Sequence, residues 1–233
     1  MIRNYLFSFF FFLGIILISL VFLPSLFLPQ KIVIFGGKIM GHWSAFCLKK
    51  ILSINIIIKG KDKIDPNSKF FIASSHQSMF ETFFLQTIFN SPIFILKKEL
   101  LNIPIFGWYL KKIGSISINR NKISKDNLGF FEEISKTVNQ SNRPIIIFPQ
   151  GTRVSPEDRT EFKKGAGRIY EALKIKCMPV AISSGKIWPK HGTKKTNLNL
   201  TVSILDPINP GLKKDLFIKN LQEKIYSELD KID

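Results

Sequence analysis

The sequence predicts an α/β layered fold, a mostly parallel sheet flanked by helices, behind an N-terminal membrane-embedded helix or helical hairpin. Three observations carry this. Beyond residue 50, short apolar runs rich in Ile and Phe alternate with segments of helical periodicity, the pattern of βαβ units. From Asn4 to Gln30 no residue is charged, and a helix of about 20 residues is enough to cross a ~30 Å hydrocarbon layer. The 233 residues suffice for one substantial domain and little more. The expected division is 1–52 as membrane anchor or interfacial helices and 53–233 as the folded body.

In chain order, the anchor comes first. A cleaved signal peptide needs a shorter apolar core and small residues at its end, whereas Pro24, Leu26, Phe27 and Leu28 stand there. Pro24 and Pro29 interrupt the helix. The following "IVIFGGKIMGHWSAFCL" is again apolar, with Gly36, Gly37 and Gly41. A single span and a shallow hairpin both fit. Arg3 precedes the run and Lys31, Lys38, Lys49 and Lys50 follow it, which places the body on the cytoplasmic side.

Residues 51–60 and 69–75 read as strands, and 79–89 as a helix. A strand is expected at 92–98, a helix within 103–114 and a strand at 115–120. The segment 124–140 has helical spacing at Leu128, Phe131, Ile134 and Val138. "RPIIIFPQ" is a fully buried strand, 165–174 a helix, 177–183 and 197–208 strands. The closing helix carries Leu216, Ile218, Leu221, Ile225 and Leu229 on one side.

Lys and Arg number 34 against 17 Asp and Glu, a net charge of +17. Anionic lipid headgroups are the natural partner for such a surface beside an apolar anchor. No nucleic-acid motif is present. Cys47 and Cys177 are too few for a disulfide framework and read as packing residues. No His or Cys pair has metal-ligand spacing, and neither a P-loop nor a G-x-S-x-G elbow occurs.

Parallel sheets bind ligands at the carboxyl ends of their strands, and two candidate motifs fall there. In "IASSHQSMFET" His76 follows a strand and Glu81 lies five residues on. On a regular helix those side chains would diverge by about 140°. They meet only if His76 sits in the loop and Glu81 projects from the first turn of the helix. The carboxylate then fixes one ring nitrogen and leaves the other free as a base. The second motif is "IIIFPQGTR", where a strand ends in exposed backbone N–H groups and Arg153, suited to phosphate. Lys163 ahead of a helix and Arg120 closing a strand are further cations at element boundaries.

These blocks resemble the glycerolipid acyltransferases. "HQSMFE" is similar to their H-x4-D/E motif, "FPQGTR" to F-P-E-G-T-R, "LKKELLNIPIFGWYLKKIGSISINR" to the block between, and "MPVAI" to the final proline-containing strand, in the same order over residues 55–190. The resemblance implies a glycerol-3-phosphate acyltransferase-like fold, with 53–233 as the acyltransferase domain. It implies direct transfer from an acyl thioester, acyl-CoA or acyl-carrier protein, to the sn-2 hydroxyl of lysophosphatidic acid, with no cofactor and no metal. His76 would be the general base and Glu81 its partner. Arg120, Arg153 and Lys163 would hold the phosphate, and Gln150, Gly151, Thr152 and Pro179 would shape the motifs. The bacterial inner (cytoplasmic) membrane is the implied location, with the catalytic domain on its cytoplasmic face. Glu81 stands where Asp is commoner and Gln150 where the pattern has Glu. Other acceptors, glycerol-3-phosphate or a lyso-aminolipid, and a non-enzymatic module binding anionic membranes are the alternatives.

Overall fold

The computed structural model describes residues 2–118 and 126–232. The apolar runs become β1 (Asn55–Lys59), β2 (Phe70–Ser74), β3 (Ile93–Lys97), β4 (Ile116–Ile118), β5 (Ile145–Ile147), β6 (Lys176–Ile182) and β7 (Asn199–Ile204). They form one sheet in the order β1-β7-β6-β2-β5-β3-β4. Every pairing is parallel except β6 with β7. Parallel strands covered on both faces read as unbroken apolar runs, as the fully buried Ile145–Ile147 of β5 does. Strand β2 lies between β5 and β6, so the loops after β2 and β5 are neighbours at one edge.

The helices are α1 (Ile2–Val21), α2 (Gln30–Ile51), α3 (Phe80–Ile88), α4 (Phe106–Lys112), α5 (Asp126–Gln140), α6 (Lys164–Leu173) and α7 (Lys214–Ile232). Alternation along β2 sends Phe71 and Ala73 to one core and Ile72 to the other. One core gathers Phe130, Ile134, Ile169, Phe217 and Leu221 from α5, α6 and α7. The inward faces of α5 and α7 differ in part from the sequence reading, and the Leu128 side chain lies outside the described residues. Phe130, Ile134 and Val138 are buried in α5 while Phe131 is half-buried. In α7 Phe217 is buried and Leu216 is 54% exposed. Ring stacking of Phe217 on Tyr170, centroids 3.9 Å apart, accounts for the choice in α7.

The second core includes the N-terminal helices. Phe7 and Phe11 of α1 and Cys47 and Leu48 of α2 pack in one cluster with Ile72, Phe80 and Val180. A single 3₁₀ turn, Leu23–Phe27, begins near Pro24 and reverses the chain, and Pro29 precedes α2. The two proline signals thus mark the corner of a hairpin. Helix α1 is tied to the body along its length. Asn4 exchanges two hydrogen bonds with the Lys194 main chain, at 3.0 and 2.8 Å. The Trp43 indole donates to Phe11 O, and the Tyr109 hydroxyl in α4 donates to Ser19 O. Helix α1 therefore runs from the loop after β6 to α4, in the connection between β3 and β4. Its outer face stays bare, with Phe9 60% and Phe12 50% exposed. It is long and apolar enough to cross a membrane by length and composition.

Burial also explains one of the few arginines. Arg143 donates from Nε to Ser91 O at 2.7 Å and from a terminal nitrogen to Ile113 O at 2.8 Å. It joins the start of β5 to the end of α4, and burial lowers its pKa to about 10. Both cysteines are free and buried.

Helix α2 approaches α3 closely because Gly41 has no side chain. A Cβ there would lie 2.5 Å from Phe83 O and 2.6 Å from the Thr87 methyl. Gly41→Ala is expected to destabilise the fold by about 1–3 kcal/mol, read as a lower thermal midpoint in detergent. Gly129→Ala, with nothing within 4 Å of its new Cβ, is the control and should be neutral or stabilising. Equal midpoints for the two variants would refute the close-packing argument.

Candidate active site

Strand β2 ends at Ser74, and residues 75–79 turn into α3. The turn is pinned from β6. Ser75 N donates to Val180 O and Ile182 N to Ser75 Oγ, both at 2.9 Å. Gly185 N donates to Gln77 Oε1 at 3.1 Å. It is pinned equally from the loop after β5. His76 N donates to Gln150 Oε1 at 2.7 Å, and Val154 N donates to His76 O at 2.9 Å. The imidazole stacks on Phe148, centroids 4.1 Å apart and planes 21° from parallel. His76 is therefore held by its main chain and by its ring face.

Glu81, second residue of α3, is fully buried. A carboxylate in such a place must be hydrogen-bonded, because an isolated buried charge is prohibitively costly. Its Oε1 accepts from Gln77 N and Ser78 N, each at 3.0 Å, and Oε2 accepts from Ser78 N at 3.1 Å. The Ser184 hydroxyl donates to Oε1. Standing at the amino end of α3, the charge is further favoured by the helix dipole. The expectation that His76 lies in the loop and Glu81 in the first turn holds. Their contact is looser than a hydrogen bond, with Nδ1 and Oε2 at 3.9 Å. Nδ1 is buried and has no hydrogen-bond partner among the described residues. The side chain is 15% exposed, so its accessible part lies away from Nδ1. A ring with one nitrogen beside a buried carboxylate and its far edge open is arranged to take up a proton there.

The other sequence-nominated residues divide. Pro179 is in mid-β6, in register with Ala73. Gly151 has φ +76°, where glycine is at ease, and its N–H donates to Phe148 O at 2.9 Å. Thr152 is exposed. Arg153 is half-buried and has no hydrogen-bond or ion-pair partner among the described residues. Lys163 is exposed directly before α6, and its N–H donates to Pro149 O at 2.8 Å. That bond folds the segment after Gly151 back, so Arg153 and Lys163 belong to one closed loop. Arg120 lies outside the described residues. Among those described, no group of three His, Cys, Asp or Glu could hold a metal ion.

Sequence reading missed Ser75, Gln77, Ser184 and the stacking role of Phe148. The available signal was a pair of "SS" steps, Ser74-Ser75 and Ser183-Ser184, ending adjacent strands. A cavity of about 770 Å³ lies elsewhere, between the start of α1 and Lys194–Leu198. His76 is not among the residues that line it.

A family model described as Acyltransferase matches residues 55–183, the stretch holding both pinned loops. This chain belongs to the acyltransferase family. It is 30% identical over 163 residues to a Pseudomonas aeruginosa protein called 1-acyl-sn-glycerol-3-phosphate acyltransferase, covering 67% of this chain and 62% of that one. The match thus spans under two thirds of that relative. A Helicobacter pylori protein of the same name is 30% identical over 185 residues, covering 78% of this chain and 76% of its own. The crystal structure of a Thermotoga maritima 1-acyl-sn-glycerophosphate (LPA) acyltransferase, PlsC, has the same fold, with a TM-score of 0.80. That match is 22% identical and covers 99% of this chain and 96% of the other.

Within this acyltransferase, Ser184 is expected to act on Glu81. Ser184→Ala removes a donor to a buried carboxylate, a bond worth about 1.5–3 kcal/mol. Denaturant titration should show that loss. In the Glu81→Gln background the same substitution should cost clearly less, because the charge it served is gone. Strictly additive losses would show that the hydroxyl does not serve the carboxylate.

Proposed function

We propose that this chain transfers an acyl group from a thioester, acyl-CoA or acyl-carrier protein, to the sn-2 hydroxyl of 1-acyl-glycerol-3-phosphate, yielding phosphatidic acid. The observation that carries the reading is His76 held between Phe148 and the buried Glu81, on a loop clamped to the one that bears Arg153, which has no partner among the described residues. The names of the Pseudomonas and Helicobacter relatives support the same acceptor.

In this reading the open edge of His76 takes the hydroxyl proton as the acceptor oxygen attacks the thioester carbonyl carbon. The carbon–sulfur bond then breaks, and the proton passes to the leaving thiolate. No acyl-enzyme forms, and no cofactor is required. Glu81 stabilises the transient imidazolium. At 3.9 Å two unit charges attract by about 4 kcal/mol for an effective dielectric of about 20. Arg153, Lys163 and Arg120 bind the phosphate and so fix the hydroxyl near the base. Gly151 and Thr152 shape the turn that presents Arg153.

Residues 1–52 serve as the membrane attachment and 53–233 as the catalytic domain, at the bacterial cytoplasmic membrane with the sheet edge on its cytoplasmic face. Support for an interfacial hairpin over a single span comes from the ties of α1 to the body at both ends. Further exposed apolar residues are Phe27, 91% exposed, Ile103 before α4, and Phe106 and Trp108 within it. Surrounding lysines face anionic headgroups.

One assay tests the chemistry: acyl transfer from a thioester to lysophosphatidic acid by purified variants, with thermal melting as the fold control. His76→Ala should lose roughly 10²–10⁴-fold in turnover. Arg153→Ala should raise the acceptor KM, lowering kcat/KM by roughly tenfold or more. Near-wild-type turnover in folded His76→Ala protein would defeat the mechanism. A raised donor KM with an unchanged acceptor KM would move Arg153 to the thioester.

The attachment has its own test. Phe9 and Phe27 point outward, so changing both to Glu should leave the melting temperature unchanged. Burial of such a side chain is worth about 1.5–3 kcal/mol. The double variant should therefore float with lipid vesicles at least roughly tenfold less well. Undiminished flotation would show that this face does not meet the bilayer.

A further inference from the structure

We infer that Gln150 is a positioning residue, acting on His76 through its main chain and making no contact with the acceptor. The inference rests on His76 being the general base. Gln150 is 1% exposed, so its amide does not reach the surface from which a phosphate or hydroxyl would approach. Its Oε1 accepts from His76 N at 2.7 Å. The carbonyl of the same residue accepts from Val154 N at 2.9 Å. The loop after β5 therefore holds both polar groups of the His76 main chain, while Phe148 at its start lies against the ring. Among the described residues, Gln150 is the side chain of that clamp that bonds the His76 main chain, and it sets where the imidazole stands relative to Glu81.

The other end of the amide explains why glutamine is tolerated where the family pattern has glutamate. Nε2 is buried without a hydrogen bond. It lies near the Tyr226 phenol of α7, close enough to lower the phenol's pKa, against the larger upward push of burial, though without hydrogen-bond geometry. The Tyr226 hydroxyl already donates to Thr160 O. A carboxylate at position 150 would keep the acceptor oxygen for His76 but face a phenol whose proton is engaged. The neutral amide meets the His76 N–H without burying a second negative charge beside Glu81.

The test uses the full chain in detergent and two readouts. One is acyl transfer to lysophosphatidic acid, resolved into kcat and acceptor KM. The other is amide hydrogen exchange of the peptide containing His76, followed by mass spectrometry. Gln150→Leu should lower kcat by roughly 10²-fold, the scale of a 1 Å misplacement, leave acceptor KM within about twofold, and speed exchange at His76. Gln150→Glu should restore the exchange protection and most of kcat, because it keeps the acceptor oxygen. If Gln150→Leu does not fold, Gln150→Asn, whose amide is one methylene short, is read the same way. A raised acceptor KM with kcat retained would make Gln150 a substrate ligand and overturn the inference. Unchanged exchange in Gln150→Leu, or no recovery in Gln150→Glu, would overturn it as well. Were the wild-type chain to transfer no acyl group to this acceptor, the proposed function would fall, and the exchange measurement would still decide whether Gln150 holds the His76 main chain.

Discussion

A carboxylate with no water around it has to be met by donors before the chain can close over it, and Glu81 imposes that demand on its whole neighbourhood. Two donors are the N–H groups of Gln77 and Ser78, at the amino end of α3; the third is the Ser184 hydroxyl beyond β6. Satisfying them fixes the turn after β2, the start of α3 and the end of β6 relative to one another. His76 rides on that turn, so its position follows from the requirement to neutralise its neighbour. The same carboxylate is then in place for the imidazolium of the proposed reaction.

The hairpin enters the catalytic architecture through packing. With Phe7 and Phe11 buried in the body's own core and Phe9 and Phe12 bare, α1 has two apolar faces with different partners. One completes the fold, and the other has no protein to cover it. The start of α1 meets the loop after β6 and its end meets α4, so its bare face is held against the catalytic body at both ends. An acceptor whose acyl chain stays among lipids would need only its headgroup to reach the site.

Arginine use separates structure from recognition. Arg143 spends its donors on two carbonyls, and Arg159 pairs with Asp230 and lies over the Tyr226 ring. Arg153, on the loop that clamps His76, has no such engagement among the described residues. In the proposed reaction that guanidinium is available for an anion, and its fork suits phosphate.

The order and type of the elements followed from the sequence alone, because strands buried on both faces are continuous apolar runs and helices betray themselves by spacing. His76 and Glu81 were equally legible, being rare residue types within one short segment at a strand end. Tertiary structure decided the rest. Phe130 over Phe131 and Phe217 over Leu216 were ties in hydrophobicity, broken only by where the sheet lies. Pro24 and Pro29 announced an interruption, yet the path of α1 against the body depended on Phe7 and Phe11 finding a core to pack in. Ser184 and Gln150 are ordinary residue types lying 103 and 74 positions from Glu81 and His76, the groups they bond. Hydrogen bonds of that range leave no periodicity in a chain. They exist because parallel pairing brings β5 and β6 to either side of β2, and only then do their loops meet around one histidine.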